Sequence, residues 1–472
     1  PVFLGLLVFV VGMASLGAEI AGVRLLSPYF GASTVVWANT IGVVLVALSV
    51  GYWIGGRAAD RRPRVQPLCL VALVAASLLA VVPFVSRPLL DAGVNALDSV
   101  SAGAFAGSLL GVLVLVAIPV LLLGTVTPWA LRLAMSTVED AGTVAGRLYA
   151  ISTAGSLLGT LGSALVLIPA IGTRRTFLTF AVLLALVAAA GLLPARRWLA
   201  VPAVIASLLV IPAGTLKAQG NGKVIYERET QYQYARVLQA PDGSRRLELN
   251  EGHATHSLYR PGTVMTGDYW DTMLEQSKSG GRVPRSVAIL GNAAGTTARA
   301  FHVLYPATRL DPVEIDPELT RIGYRYFGLP RSVHVHDEDA RPFLRRRPDS
   351  RWDAILVDAY RQPYIPFYLV TKEFFQLVRD RLTPGGVVVV NVGHPVGHDE
   401  LEKAVGATMR SVFPHVGRDP GQPTNTILVA GRRPLTSSAL QPPLRGGEVY
   451  TDDRAPVEWL IDRSLVEYAA TP

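Results

Sequence analysis

VAILGNAAGTTARAFHVLYPATRLDPVEID, from Val287 to Asp316, is the stretch whose reading decides the fold. It opens on an apolar run, Val287 to Leu290, and passes through a turn of small residues, Gly291 to Thr297. A helical segment follows, then a second strand ending in Glu314 and Asp316. That order is half of a βαβ unit of the dinucleotide-binding type. Small residues let backbone approach a ligand, and an acid roughly 20 positions on suits a pair of ribose hydroxyls. The full G-x-G-x-x-G spacing is missing, so a strand-to-helix junction needing small residues for packing satisfies the same turn.

Downstream, the chain runs through VHVHDEDARPFL, WDAILVDAY, a helix from Phe374 to Leu382, the turn Thr383 to Gly386, and VVVVNV. Strands alternating with helices argue for a parallel doubly wound sheet, whose ligands sit at the carboxyl ends of the strands. Glu314, Asp339 and Asp358 each fall at such an end. Three carboxylates converging on one rim are hard to explain by packing, because each must be solvated or paired. Any one alone also serves as a helix N-cap. Upstream, Val224 to Tyr259 alternates around Pro241-Asp242-Gly243 as a β-hairpin region, and GDYWDTM clusters Tyr269, Trp270 and Asp271 just before the first strand.

The first half is a different material. The 472 residues allow two or three domains. With 50% apolar and 17% charged residues and a mean hydropathy of +0.35, the whole is too apolar for a soluble protein. The excess sits before residue 217, where lysine and acids are scarce, which sets a boundary near Lys217 to Gly222. Apolar runs of about 20 residues, long enough to cross a bilayer, lie at roughly 2–26, 34–56, 67–86, 104–127, 145–171, 176–194 and 198–216. Seven spans are therefore expected. The first run has no basic flank before it and is followed by further spans, which argues against a cleavable signal peptide. Glu19 and Arg24 within it face protein or water, and helix packing is the favoured role for Glu19. On the fifth run, Ser152, Gly155, Gly159 and Ser163 share a face that permits close helix contact.

Orientation is contested by the charges. The basic loop Arg57 to Arg64 is cytoplasmic by the positive-inside rule, and seven full crossings then put the C-terminal domain outside. Nucleotide cofactors are scarce there, so a cytoplasmic domain on a multi-pass cell-membrane protein is the expectation, against the loop charges. The lone Cys69 excludes an intrachain disulfide or a cysteine-metal cluster. Net charge +8 and a pI near 9.6 do not argue for nucleic acid, because the arginines gather at the ends of apolar runs and in the 341–351 segment.

The ordered set Tyr232-Gln233, YWD, GNAAGT, VEID, EDA and VDAY resembles the spermidine synthase family, aminopropyltransferases related in fold to S-adenosylmethionine methyltransferases. The resemblance covers about residues 224 to 430, and the N-terminal bundle resembles the membrane-fused branch of that family. It implies an N-terminal all-α transmembrane bundle (1–216), a linker and β-hairpin subdomain (217–285), and a Rossmann-like, methyltransferase-type α/β domain (286–472). The implied donor is decarboxylated S-adenosylmethionine or S-adenosylmethionine, with no metal. Gln233, Gly291, Gly295, Glu314, Asp339 and Ala340 would bind it. Asp358 would accept the proton of the attacking amine, with Tyr269, Asp271, Tyr360 and Tyr364 shaping the amine site. Partners would be a small amine, the bilayer and, left open, a second copy of the chain.

Departures matter equally. The family's acid in the glycine turn is Ala294 here, the second acid of its Asp-x-x-Asp loop is Arg361, and the residues after Tyr269 are Trp270 and the shorter Asp271. Asp452, Asp453 and Glu458 in the tail are candidates to replace those acids. Ala294 and Arg361 also suit an S-adenosylmethionine methyltransferase, and a non-catalytic nucleoside-sensing membrane protein is the alternative of another class.

Overall fold

The computed structural model describes residues 2–30, 34–98, 104–138, 140–192, 196–211, 222–250, 254–361 and 364–470. These form two compact units, residues 1–218 with 228–234, and residues 219–227 with 235–472.

The first unit is a helix bundle: α1 (Val2–Phe30), α2 (Thr34–Arg61), α3 (Val65–Asp98), α4 (Ala104–Leu115), α5 (Ala117–Ala134), α6 (Ala141–Gly162), α7 (Ile168–Ala190) and α8 (Ala200–Ser207). Among the described residues, five helical stretches are long and apolar enough to cross a membrane. The fourth and seventh of the seven expected spans are corrected. The fourth run divides at Val116 into α4 and α5. The fifth and sixth form one 50-residue stretch, broken at Gly172, whose φ of 80° and ψ of 164° are non-helical. The seventh holds the short apolar helix Arg197–Val210, about 21 Å at 1.5 Å per residue against about 30 Å of hydrocarbon. Its far end and the boundary near Lys217 to Gly222 lie largely outside the described residues.

Small residues bring α1 and α6 together, as the fifth run's pattern anticipates. A Cβ on Gly155 would lie 2.1 Å from the Phe9 carbonyl oxygen, one on Gly159 2.1 Å from that of Met13, and one on Gly12 2.4 Å from that of Ser152. Contacts advance in the same sense on both helices, so α1 and α6 run parallel. Glu19 is buried in this bundle. Where α7 restarts after Gly172, the Glu229 carboxylate accepts from Thr173 N–H and, at 2.5 Å, from its hydroxyl. Arg24 donates to the Gln231 carbonyl. Segment 228–234 thus sits at the end of the bundle where α1 finishes, and the Arg57 to Arg64 loop, after α2 has run back, is at the other.

The second unit opens with a four-stranded sheet in the order β1 (Lys223–Glu229), β2 (Tyr234–Gln239), β3 (Arg245–Leu249) and β4 (Thr255–Tyr259), larger than one hairpin. Then come α9 (Tyr269–Gln276), β5 (Ser286–Leu290), α10 (Thr296–Leu304), β6 (Arg309–Glu314), α11 (Pro317–Tyr326), β7 (His336–Asp337), α12 (Ala340–Arg345), β8 (Trp352–Val357) and α13 (Lys372–Arg381). The chain closes with β9 (Leu382–Gly393), α14 (Glu400–Arg410), β10 (His415–Gln422), β11 (Asn425–Gly431) and α15 (Val457–Ala470). The seven-stranded sheet has the order β10-β11-β9-β8-β5-β6-β7. Strands β7, β6, β5, β8 and β9 are parallel, while β11 and β10 are antiparallel. The wholly parallel sheet expected from the strand-helix alternation is corrected at that edge.

Period-two alternation covers both faces. Val287 and Ile289 pack with Met273 and Phe301 on one side; Ala288 and Leu290 pack with Phe343 and Phe374 on the other. The turn expected at Thr383 to Gly386 lies inside β9 as an irregularity, since Trp352 pairs with Leu382 but Ala354 already pairs with Val387.

Candidate active site

β5 lies between β6 and β8, so the turn after β5 lies between Glu314, which ends β6, and Asp358, which follows β8. Close approach explains the glycine at its start. Gly291 has φ 90°, and a Cβ there would lie 2.4 Å from the Asp358 carbonyl oxygen and 2.5 Å from Ala359 Cα. Gly295 has φ 89° and packs on Leu329.

Five amides of the turn, those of residues 291–295, are engaged within the protein. Gly291 and Asn292 N–H donate to the Val313 carbonyl, each at 3.0 Å, and Gly295 N–H to the Asn292 carbonyl at 2.8 Å. Ala293 N–H donates to Glu314 Oε2 at 2.7 Å, and Ala294 N–H to Ser257 Oγ at 2.9 Å.

Glu314 Oε1 accepts from Asp316 N–H at 3.0 Å. Ile315 N–H is a further backbone donor to this carboxyl. Burial pushes this carboxyl up to about 7, against the lowering effect of its backbone donors. Asp358 is held differently. Its Oδ1 accepts from Asn391 Nδ2 at 2.8 Å and its Oδ2 from the Tyr269 hydroxyl at 3.2 Å. Burial raises Asp358 to about 7, while hydrogen bonds from Asn391, Tyr269 and Trp270 pull the other way. Tyr269 and Trp270 stack with ring centroids 4.3 Å apart, and burial beside Asp358 pushes the Tyr269 hydroxyl upward.

The other expected residues divide. Tyr360 packs near Asp358, its hydroxyl donating to the Asn391 carbonyl at 3.1 Å and accepting from Gly393 N–H at 2.5 Å. Asp339 caps α12 through Arg341 N–H at 2.9 Å and accepts from the Tyr368 hydroxyl at 2.7 Å; Ala340 is buried beside it. Asp271 closes the turn before α9, accepting from Thr266 N–H, the Thr266 hydroxyl and Gly267 N–H at 2.6 to 3.0 Å. Tyr364 is buried, with its hydroxyl on Asp462 of α15. Gln233 is buried, in segment 228–234, which is counted with the first unit. Ala294 is fully buried and Arg361 exposed.

Among the tail acids, Asp452 is held by α12 and the residue before α13. Arg341 grips it bidentately at 2.7 and 2.6 Å, and the Thr371 hydroxyl adds a bond at 2.7 Å. Asp462, not singled out in the sequence, is the tail acid that meets Tyr364. Asn391 was also missed, although a lone asparagine closing a valine run was a legible signal.

Residues 272–419 match the spermine/spermidine synthase domain. The chain is 35% identical over 189 residues to a probable polyamine aminopropyl transferase of Bifidobacterium longum, covering 40% of this chain and 42% of that protein. It is 37% identical over 134 residues to a polyamine aminopropyltransferase of Vibrio vulnificus, covering 28% and 44%. It thus spans less than half the length of these two relatives. A polyamine aminopropyltransferase of Mycobacterium tuberculosis is 27% identical over 413 residues, covering 79% of this chain and 75% of that one. A probable spermidine synthase from Corynebacterium glutamicum superposes with a TM-score of 0.39 at 22% identity, over 47% of this chain and 83% of that chain. The chain thus carries, at residues 272–419, a domain that matches the spermine/spermidine synthase family.

Proposed function

We propose that the second unit transfers an aminopropyl group from decarboxylated S-adenosylmethionine to a small amine, with Asp358 as proton acceptor. The observation that carries this reading is the Asp358 carboxylate, joined to Tyr269 and Asn391 one strand away from the turn gripped by Glu314. The neutral amine's lone pair forms the new C–N bond at the carbon beside the sulfonium. The C–S bonding pair returns to sulfur, methylthioadenosine leaves uncharged, and a proton on nitrogen passes to Asp358. Glu314 orients the ribose, and Tyr269 and Trp270 offer aromatic faces to a cationic amine. Arg361 in place of an acid, and Asp271 already engaged by its turn, favour an acceptor with one amine over a diamine.

The rival with a specific observation behind it is methyl transfer from S-adenosylmethionine, since Ala294 removes a carboxylate that would repel a carboxylated donor. Calorimetry with both sulfonium nucleosides, then mass spectrometry of products with putrescine and with a monoamine, separates the two. Tighter binding of the decarboxylated form with release of methylthioadenosine supports aminopropyl transfer. Tighter binding of the carboxylated form with S-adenosylhomocysteine as product replaces it by methylation, and binding without product by a sensor.

The bundle holds the protein in a membrane, on this reading, and the Arg57 to Arg64 loop marks its cytoplasmic end. The Glu229 and Arg24 contacts support placing segment 228–234 at the opposite end, against the expectation of a cytoplasmic domain. Single cysteines at Pro63 and Gln231, in a Cys69→Ser background, test this with a membrane-impermeant maleimide. Labelling of Gln231→Cys in intact cells, and of Pro63→Cys only after permeabilisation, is expected. The reverse pattern would return the segment to the cytoplasm.

A further inference from the structure

Four valines of β9, Val387 to Val390, lead to Asn391, which is 2% exposed. A carboxamide this deep in a sheet must be hydrogen-bonded at both ends. Both ends are met, and in one sense only. Asn391 Oδ1 accepts from Asn425 Nδ2 at 2.9 Å, which leaves Nδ2 to donate to Asp358 Oδ1 at 2.8 Å. A flipped amide would set two oxygens against each other at Asp358 and two N–H groups at Asn425. The second oxygen of Asp358 faces the Tyr269 hydroxyl, a group able to accept as well as donate.

We infer that Asn391, oriented by Asn425, is a positioning residue that keeps Oδ1 of Asp358 as a standing acceptor and makes Oδ2 the oxygen that takes the amine proton. The inference rests on Asp358 being the base. As the N–H bond breaks, the O–H bond forms at Oδ2, where the Tyr269 oxygen receives it, and Oδ1 stays on Asn391. Charged and titratable groups facing Asp358 are Asp268 and Tyr269 from α9 and Tyr360 from the segment after β8. Asn391 and Trp270 are neutral donors to Asp358, and the bond from Asn391 favours the ionised form.

Infrared difference titration of the full chain in detergent, wild type minus Asp358→Asn, isolates the Asp358 carboxyl without any substrate. In an Asn391→Leu background the midpoint should rise by about one pH unit or more, as expected for loss of a hydrogen bond to a charged group. Asn425→Ala, which leaves Asn391 in place but unoriented, should raise it less and in the same direction. A midpoint unmoved in both backgrounds while Asp358 still titrates overturns the inference. So does a lower melting temperature for Asn391→Leu with the midpoint fixed, which is the mark of a purely structural asparagine. If Asn391→Leu fails to fold, Asn425→Ala decides by its own midpoint. Absence of any titrating Asp358 carboxyl between about pH 5 and about pH 9 in the wild type fails the base assignment instead.

Discussion

The ends of β6 and β8 carry one buried carboxylate each, and the two are built in opposite ways. Glu314 is tied to backbone, through the N–H groups of Ala293 and Asp316. Asp358 is tied to side chains, through Asn391 and Tyr269. Burial raises both to about 7, so charge alone does not distinguish them. A carboxylate that satisfies backbone donors is part of the turn it holds, and removing it leaves those donors unmet in the interior. One held by side chains can change protonation while the chain path stays still. On the proposed reading Glu314 serves fold and binding, and Asp358 serves chemistry.

Substitution breaks that comparison most directly at Asp358. Asp358→Asn should lower methylthioadenosine release by about 10²–10⁴-fold, the usual range for a general base, while the melting temperature stays within a few degrees of wild type. Full turnover in that variant would remove the base assignment. Glu314→Ala should act the other way, destabilising the second unit by about 2–4 kcal/mol for two buried N–H groups without acceptors. Denaturant unfolding measures it, and a loss of activity with unchanged stability would erase the contrast between the two ends.

The pH dependence sharpens the comparison further. Each carboxyl has a folded-state value near 7 against an ordinary value of about 4, so protonation favours the folded state. The stabilisation is complete below about pH 4 and is lost as pH rises through about 7. Melting temperature should fall across that window, and Asp358→Asn and Glu314→Gln should each flatten part of the fall. The catalytic rate should run opposite to stability, rising through about pH 7 as Asp358 ionises. A rate that is flat from about pH 5 to about pH 8 speaks against a base of this kind. The smallest effect is expected for Tyr269→Phe, which removes a donor 3.2 Å from Asp358. About a tenfold loss or less in turnover should accompany a small upward move of the acid limb in the pH–rate profile.

Much of this domain is visible in local pattern. Alternation from Val287 to Leu290 places successive side chains on the two faces of a sheet, and an acid at a strand's carboxyl end falls on the ligand edge whatever surrounds it. Glu314 and Asp358 were legible for that reason. Asp339 was equally visible, yet local pattern does not separate an N-cap from a ligand, and here the cap is formed.

What the sequence by itself determined is the division into an apolar helical half and an α/β half, the strand-turn-helix of Val287 to Leu304, and the acids of the site edge. Periodicity and composition act between near neighbours, and these features depend on near neighbours. Tertiary structure alone decided which acceptors the amides of the turn meet, which tail acid meets Tyr364, and what holds Asp358. Each depends on contacts between residues far apart in the chain: Ala294 with Ser257, Tyr364 with Asp462, Asp358 with Asn391. A hydrogen bond needs its two atoms within about 3 Å, and spacing along the chain carries no such distance until the sheet has been closed.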